Sequence, residues 1–230
     1  MKKPIEELIE KLRELNSRGW INSEGTGSGR YGLALERELS IPRNSSKNPD
    51  FKGIELKTKA SSKLQTLFSR TPSRHTGCSN NLDLIQSWGY KDKKTGRQQL
   101  YTSINCEGDS LGFSIKHSGN CIQVLHGKIE LLQYDIIKLK EALLSKHTES
   151  AFIDVETRKL GNQDQCRFNN LLHCKHSSID KFLPLLNEGR IYLDFTLSVK
   201  DGRSRDHGFL WRIKGNLKDL YETSLSYQLD

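Results

Sequence analysis

The sequence of 230 residues lacks any apolar run approaching the ~18 residues that a membrane-spanning helix requires, and only 34% of its residues are hydrophobic. Its first residues lead straight into charged side chains, without the apolar segment of a secretory signal. Five scattered cysteines form no C-x-x-C pair, a pattern typical of reduced thiols rather than of disulfides. We therefore expect a soluble cytoplasmic protein with no membrane partner.

Positive charge is in excess, since 36 Lys and Arg residues stand against 28 Asp and Glu residues and the formal net charge is +8. A basic globular protein without a membrane helix often binds a polyanion, most commonly nucleic acid. Ordinary charge for solubility is the alternative. Three Trp, seven Tyr and eight Phe argue against a disordered chain, and the length suits one domain or two interdependent lobes.

Hydrophobic periodicity predicts a mixed α/β chain without internal repeats. Helices are predicted over residues 4–18, 32–39, 82–88, 136–146 and 178–187, with a last short helix from about residue 217. Strands are predicted over residues 54–59, 64–68, 100–105, 111–117, 121–125, 129–134, 151–156, 167–173, 191–199 and 209–213. Polar loops are expected over residues 73–81 and 200–207.

The segment that follows Pro49 carries the most informative pattern of acidic and basic residues. On a strand, Glu55 and Lys57 project from the same face, and a bend can bring the carboxylate of Asp50 beside Glu55. Two such carboxylates, with the carbonyl of Leu56, suit Mg²⁺, which stabilises charge on a scissile phosphate and activates water. Lys57 can orient that water. The alternative is a polar strand face with an ordinary ion pair.

A third acid, Glu36, lies on the predicted helix just before this segment and can join the same site. A solvated helix residue beside Arg37 is the alternative for Glu36.

Five local patterns together resemble the MvaI/BcnI family of type II restriction endonucleases, which is related to the mismatch-repair nickase MutH within the PD-(D/E)XK nuclease superfamily. The resemblance extends over nearly the full length, and is weakest between about residues 106 and 165. The patterns are Gly32-x-x-x-Glu36, Pro49-Asp50-x4-Glu55-x-Lys57, Leu64-x-Thr66-Leu67-Phe68-x-x-x-Pro72, Gly89-Tyr90 and Asp206-His207-Gly208-x-x-x-Arg212-Ile213.

The resemblance implies an α+β fold with a restriction-endonuclease-like core, in which a central mixed sheet is flanked by helices and two lobes surround a DNA-binding cleft. Residues 1–230 would form one such domain, with a catalytic lobe over about residues 1–105 plus parts of the middle and a recognition lobe over about residues 160–230. It also implies that Asp50 and Glu55 are metal ligands, that Lys57 is the catalytic lysine and that Glu36 is the helix-borne acid.

The implied activity is Mg²⁺-dependent, sequence-specific cleavage of double-stranded DNA by a monomer that cuts one strand at a time. By resemblance, the site would be C/G-rich and about four or five base pairs long, and a companion DNA methyltransferase would be encoded nearby. A MutH-like strand nickase and a non-catalytic DNA-binding module are the alternatives.

Two basic segments are candidates for DNA contacts. The stretch from Lys200 to Arg212 mixes cations and acids that can read G·C pairs, because Arg donates to guanine and Asp accepts from cytosine. A charged, solvated turn is the alternative there. The predicted DNA-contacting residues of this stretch are Arg203, Arg205, Asp206, His207 and Arg212. An earlier arm, with Arg70, Arg74 and His75, is predicted to contact mainly phosphates.

Overall fold

The computed structural model divides the chain into two compact units whose segments alternate along the sequence. The first unit consists of Met1–Lys63, Leu144–Ser177 and Tyr221–Asp230, and the second unit of Leu64–Leu143 and Ser178–Leu220. The boundaries of these two units are not those of the catalytic and recognition lobes expected from the sequence. The assignment of cleavage and DNA recognition to separate lobes stays a prediction. The structure describes residues 2–23, 25, 27, 29–42, 48–59 and 64–229, apart from the side chain of Asp206.

Both units combine helices with sheets, as the sequence predicts. The helices are α1 (Pro4–Ser17), α2 (Arg30–Glu38), α3 (Asn81–Trp88), α4 (Ile136–His147) and α5 (Ile179–Asn187), with a 3₁₀ helix at Leu217–Leu220. The strands are β1 (Ile21–Asn22), β2 (Glu55–Lys59), β3 (Gln65–Ser69), β4 (Arg74–His75), β5 (Tyr90–Lys91), β6 (Gln98–Ile104), β7 (Phe113–Ser118), β8 (Cys121–His126), β9 (Ile129–Asp135), β10 (Glu149–Leu160), β11 (Gln163–Ser177), β12 (Ile191–Lys200), β13 (Arg203–Ile213) and β14 (Tyr221–Gln228). Within the described residues, no helix is both long and apolar enough to cross a membrane.

The first unit is built on a mixed sheet in the order β1-β11-β10-β2, with β14 also paired to β11. Strands β2 and β10 are parallel, while the other pairs are antiparallel. Helices α1 and α2 pack their apolar stripes, including Leu8, Leu12 and Leu35, into the same core as Ile153 and Phe168 of the sheet. This core supports β2, which carries two of the predicted catalytic residues.

The second unit contains two further sheets, ordered β3-β13-β12-β6-β5 and β4-β9-β8-β7. Aromatic side chains dominate its core. The ring of Trp211 lies 5.1 Å from that of Tyr134 and 5.7 Å from that of Phe182, in edge-to-face contacts of the kind that aromatic pairs favour.

Several sequence-based predictions of local structure are wrong. The expected polar loop over residues 73–81 contains the short strand β4 and the first residue of α3. The expected polar loop over residues 200–207 is a hairpin, in which β12 and β13 pair up to Lys200 and Arg203 around Asp201 and Gly202. Both turn residues have positive φ, 52° and 72°, which a two-residue hairpin of this twist requires. Strand β14 lies where the sequence predicts no strand, and most of its side chains are exposed.

Candidate active site

A tight turn brings Asp50 back beside strand β2. Phe51 and Ile54 exchange two backbone hydrogen bonds, of 2.9 and 2.8 Å, around a turn that ends at Gly53. Gly53 has φ of 90°, which glycine adopts without the steric penalty of a side chain. Just beyond the turn, the N–H of Leu56 donates a 3.0 Å hydrogen bond to Oδ2 of Asp50. The turn therefore explains how four intervening residues set the two acidic side chains of the motif next to each other.

Glu55 is the most buried of the predicted catalytic residues, with none of its side chain exposed. Its Oε1 accepts hydrogen bonds from two ammonium groups, that of Lys57 on the same strand and that of Lys146, which lies 3.3 Å away. Its Oε2 is buried and has no hydrogen-bond partner among the described residues. A buried carboxylate oxygen without a donor is costly, and a cation is the group that would satisfy it.

The four predicted catalytic residues line one cavity of about 360 Å³ in the first unit. Asp50, Glu55 and Lys57 enter it from the turn and from β2, and Glu36 enters it from α2. Their common location is the arrangement that the sequence pattern predicts, and their individual roles stay predictions.

The electrostatics of the cavity favour a bound cation. Burial, and then the neighbouring Glu55 carboxylate, raise the pKa of Asp50 above its ordinary value. The N–H of Leu56 and the ammonium groups of Lys57 and Lys146 act in the opposite direction but do not cancel the rise. Ionised Asp50 is therefore destabilised here, and a divalent ion beside it would offset that cost.

The donors suit a hard divalent ion that keeps much of its water. In the described part of the chain, no three His, Cys, Asp or Glu side chains gather into a metal-binding group. The cavity instead offers the carboxylates of Asp50 and Glu55, and Leu56 lines the same cavity. Mg²⁺ is commonly held by one or two carboxylates with water completing its octahedron, so these residues fit it.

Lys146 is the site residue that sequence reasoning missed. It lies in the last turn of α4, where a lysine is ordinarily explained by its favourable interaction with the helix dipole. It is 91 positions from Glu55 in sequence, and no spacing rule connects residues so far apart. Only the folded chain brings its ammonium group into the cavity wall.

The predicted recognition residues of β13 lie on the exposed end of a hairpin. Arg203, Arg205 and His207 are exposed, and Arg203 and Arg205 share one face because they are two positions apart on a strand. The side chain of Asp206 lies outside the described residues. An exposed pair of guanidinium groups on one face of a hairpin can contact phosphates or base edges.

Arg212 has a different environment from the other predicted DNA-contacting residues. Its Nη1 forms an ion pair with Asp194, and its Nη2 donates a 2.8 Å hydrogen bond to the carbonyl of Leu64. The side chain of Arg212 is 26% exposed and that of Asp194 is 10% exposed. Arg212 therefore has a structural function within the second unit.

The earlier basic arm lies elsewhere in the second unit. Arg70 and Arg74 line a cavity of about 580 Å³, and Nη2 of Arg74 lies 3.6 Å from Oδ1 of Asp135. His75 does not line this cavity, and its Nε2 lies 2.9 Å from Oδ1 of Asn81. The structure thus separates the histidine from the two arginines with which the sequence grouped it.

Comparisons with known proteins agree with this fold. The chain matches the fold of restriction endonuclease MvaI in complex with its cognate DNA substrate, with a TM-score of 0.83, 20% sequence identity and full coverage of both chains. It also matches MvaI in the absence of DNA, with a TM-score of 0.57, 21% identity and coverage of 100% of this chain and 99% of the other. No curated protein sequence matches the chain.

These structural matches confirm the predicted restriction-endonuclease-like α+β fold. The model of the MvaI/BcnI restriction endonuclease family matches residues 9–221, which is most of the sequence. The chain therefore belongs to the MvaI/BcnI restriction endonuclease family.

Proposed function

We propose that this protein is a Mg²⁺-dependent type II restriction endonuclease that hydrolyses phosphodiester bonds of double-stranded DNA. The observation that carries the proposal is the buried carboxylate of Glu55, which lines one cavity with Asp50 and Lys57 and keeps one oxygen without a donor. Membership of a restriction endonuclease family supports DNA as the substrate. The family resemblance supports a short C/G-rich site, cut one strand at a time.

In this proposal, Asp50 and Glu55 would hold the metal ion together with the carbonyl of Leu56. A bound Mg²⁺ would stabilise negative charge on the phosphate and lower the pKa of a bound water. The N–H of Leu56 fixes Oδ2 of Asp50, so this carboxylate needs no reorientation during the reaction. Glu36, in the wall of the same cavity, is the third acid of the site.

Lys57 contributes a positive charge beside the reacting phosphate. Its side chain is 22% exposed, so its ammonium group is accessible from the cavity while it pairs with Glu55. From there it can orient the attacking water, which displaces the 3′ oxygen in line and leaves a 5′-phosphate. The leaving oxygen takes up a proton, and the products are a 3′-hydroxyl and the 5′-phosphate.

We assign cleavage to the first unit, which contains the cavity, and DNA recognition to the second unit. Arg203, Arg205, Asp206 and His207 are the proposed readers on β13, and Arg70 and Arg74 are proposed to contact phosphates. Arg212 and His75 stay in the proposed set, with the internal contacts described above. The protein is proposed to act in the cytoplasm as a monomer, with a DNA methyltransferase encoded nearby to protect the host DNA.

Incubation of supercoiled plasmid DNA with the protein and Mg²⁺ tests this function. The proposal predicts discrete linear fragments whose sequenced ends share one short motif. Nicked circles without further fragments would indicate a MutH-like nickase instead. A shifted band without any cleavage, at every Mg²⁺ concentration, would indicate a DNA-binding module and would overturn the proposal.

A further inference from the structure

Two ammonium groups share a single oxygen of Glu55, although one counter-ion is enough for one carboxylate. Lys57 reaches this oxygen from the neighbouring position on β2, and Lys146 reaches it from the end of α4 at 3.3 Å. The other oxygen of Glu55 has no donor among the described residues. The second lysine therefore does not serve to complete the hydrogen bonding of the carboxylate.

Buried polar contacts fix the backbone that carries Lys146. The next residue, His147, is fully buried, and its Nδ1 lies 2.9 Å from Oγ of Ser150 and 3.1 Å from Oη of Tyr221. Ser150 is also the partner of Glu55 in the parallel pairing of β10 with β2. The end of α4 and the strand position of Glu55 are thus tied to the same residue, so the approach of Lys146 to Glu55 is built into the fold.

The charges of the cavity show what Lys146 changes. Glu36, Asp50 and Glu55 supply three negative charges and Lys57 and Lys146 two positive ones, so the cavity has a formal charge of −1. A divalent ion makes this charge +1, which is complementary to one DNA phosphate. Without Lys146, the same cavity with its ion would be neutral and would attract a phosphate less strongly.

We propose that Lys146 is a positioning residue of the cleavage site, which holds Glu55 and competes with the divalent ion for that carboxylate. This inference rests on the proposed function. Lys146 weakens ion binding to the free protein and in return keeps the loaded site positive for the phosphate of DNA. It thereby favours loading of the ion together with DNA over loading of the ion alone.

The test compares Lys146→Met, Lys146→Arg and the control Lys140→Met, which removes an exposed lysine from the same helix outside the cavity. Binding of Mn²⁺ to each full-length variant is measured without DNA, from the loss of the free-ion signal in electron paramagnetic resonance. Cleavage of plasmid DNA under single-turnover conditions and thermal unfolding are measured in parallel. Ion binding in the absence of DNA is a readout that does not depend on activity.

Lys146→Met is expected to bind Mn²⁺ about tenfold more tightly, because a positive charge beside a divalent ion has been removed from a partly solvated site. It is also expected to cleave DNA at least about tenfold more slowly, a loss of ~1.4 kcal/mol of transition-state stabilisation. Lys146→Arg keeps the charge and should bind Mn²⁺ as the unsubstituted protein does, as should Lys140→Met.

Unchanged or weaker Mn²⁺ binding by Lys146→Met would overturn the inference, since removing a lysine that only supports packing would leave the ion affinity unchanged or lower it. Full cleavage activity of Lys146→Met would overturn it as well. If the unsubstituted protein neither binds Mn²⁺ nor cuts DNA, the proposed function itself fails, and that result is distinct from a failure confined to Lys146.

Discussion

The backbone N–H of Leu56 donates a 3.0 Å hydrogen bond to Oδ2 of Asp50, which ties the acid before strand β2 to the strand itself. This contact lies just beyond the turn around Gly53 and gives the carboxylate one fixed orientation. It explains why the acid five positions before Glu55 belongs to the site although it lies outside the strand. The charge of Asp50 and its place in the turn can therefore be tested separately.

Asp50→Asn keeps an oxygen that can accept from Leu56, but it removes the charge and replaces the other oxygen with an NH2 group. We expect an intact fold and a fall in cleavage rate of at least about a hundredfold, or ~2.7 kcal/mol, because a metal ligand is lost. Single-turnover cleavage, with circular dichroism as a check on folding, measures both. Cleavage at the unsubstituted rate would remove Asp50 from the set of metal ligands.

The raised pKa of Asp50 predicts how stability depends on pH. The folded protein holds this proton more tightly than the unfolded chain does, so stability is lost as pH rises from the ordinary carboxyl value of 3.8 through the raised one. Asp50→Asn removes this cost, and its stability relative to the unsubstituted protein should increase over the same pH range. Urea unfolding in a chelator, at several pH values, measures the difference. A difference that does not vary with pH would contradict the environment described for Asp50.

Arg212 is expected to contribute strongly to folding because Asp194 is its ion-pair partner. Arg212→Ala leaves a buried carboxylate unpaired and should cost about 3 kcal/mol of unfolding free energy. The double variant Arg212→Ala/Asp194→Ala should recover part of this loss in urea titrations. If the double variant also discriminates between DNA sequences as the unsubstituted protein does, Arg212 is not a base reader.

The hairpin arginines are expected to act on DNA and not on stability. Arg203→Ala and Arg205→Ala remove exposed side chains, so the unfolding midpoint should stay the same. K is the association constant for DNA, and the slope of log K against log salt concentration should become shallower by about 0.9 for each phosphate contact that is lost. Binding titrations at several salt concentrations, with exposed Arg97→Ala as the matched control, measure this. Equal slopes of log K against log salt concentration for the hairpin variants and the unsubstituted protein would contradict phosphate contacts from Arg203 and Arg205. Contacts to base edges alone would instead change the discrimination between DNA sequences.

Residues close together in the sequence could be assigned to the site before the fold was known. Asp50, Glu55 and Lys57 lie within eight positions. The period of a strand and the bend after Pro49 are enough to bring them together. Glu36 was also accessible to sequence reasoning, through the family pattern.

Contacts between distant residues could not be predicted in this way. Lys146 is just one polar residue of an amphipathic helix until its ammonium group is seen beside Glu55, and Arg212 resembles any other cation of a basic stretch until Asp194 is seen beside it. The sequence predicts a loop over residues 200–207, where the structure has a hairpin, because its polar composition hides the pairing of its backbone. Pairing of backbone groups leaves little trace in the hydrophobic pattern.

The most direct test of the central claim is the single-turnover cleavage rate of Glu55→Gln over a range of Mg²⁺ concentrations, with binding of the same DNA measured in parallel. Glutamine has nearly the same shape as the buried side chain, but it carries no charge and has an NH2 group in place of one carboxylate oxygen. We predict that Glu55→Gln binds the DNA and cuts it at no Mg²⁺ concentration. Cleavage by Glu55→Gln at the rate of the unsubstituted protein would show that the reaction takes place elsewhere.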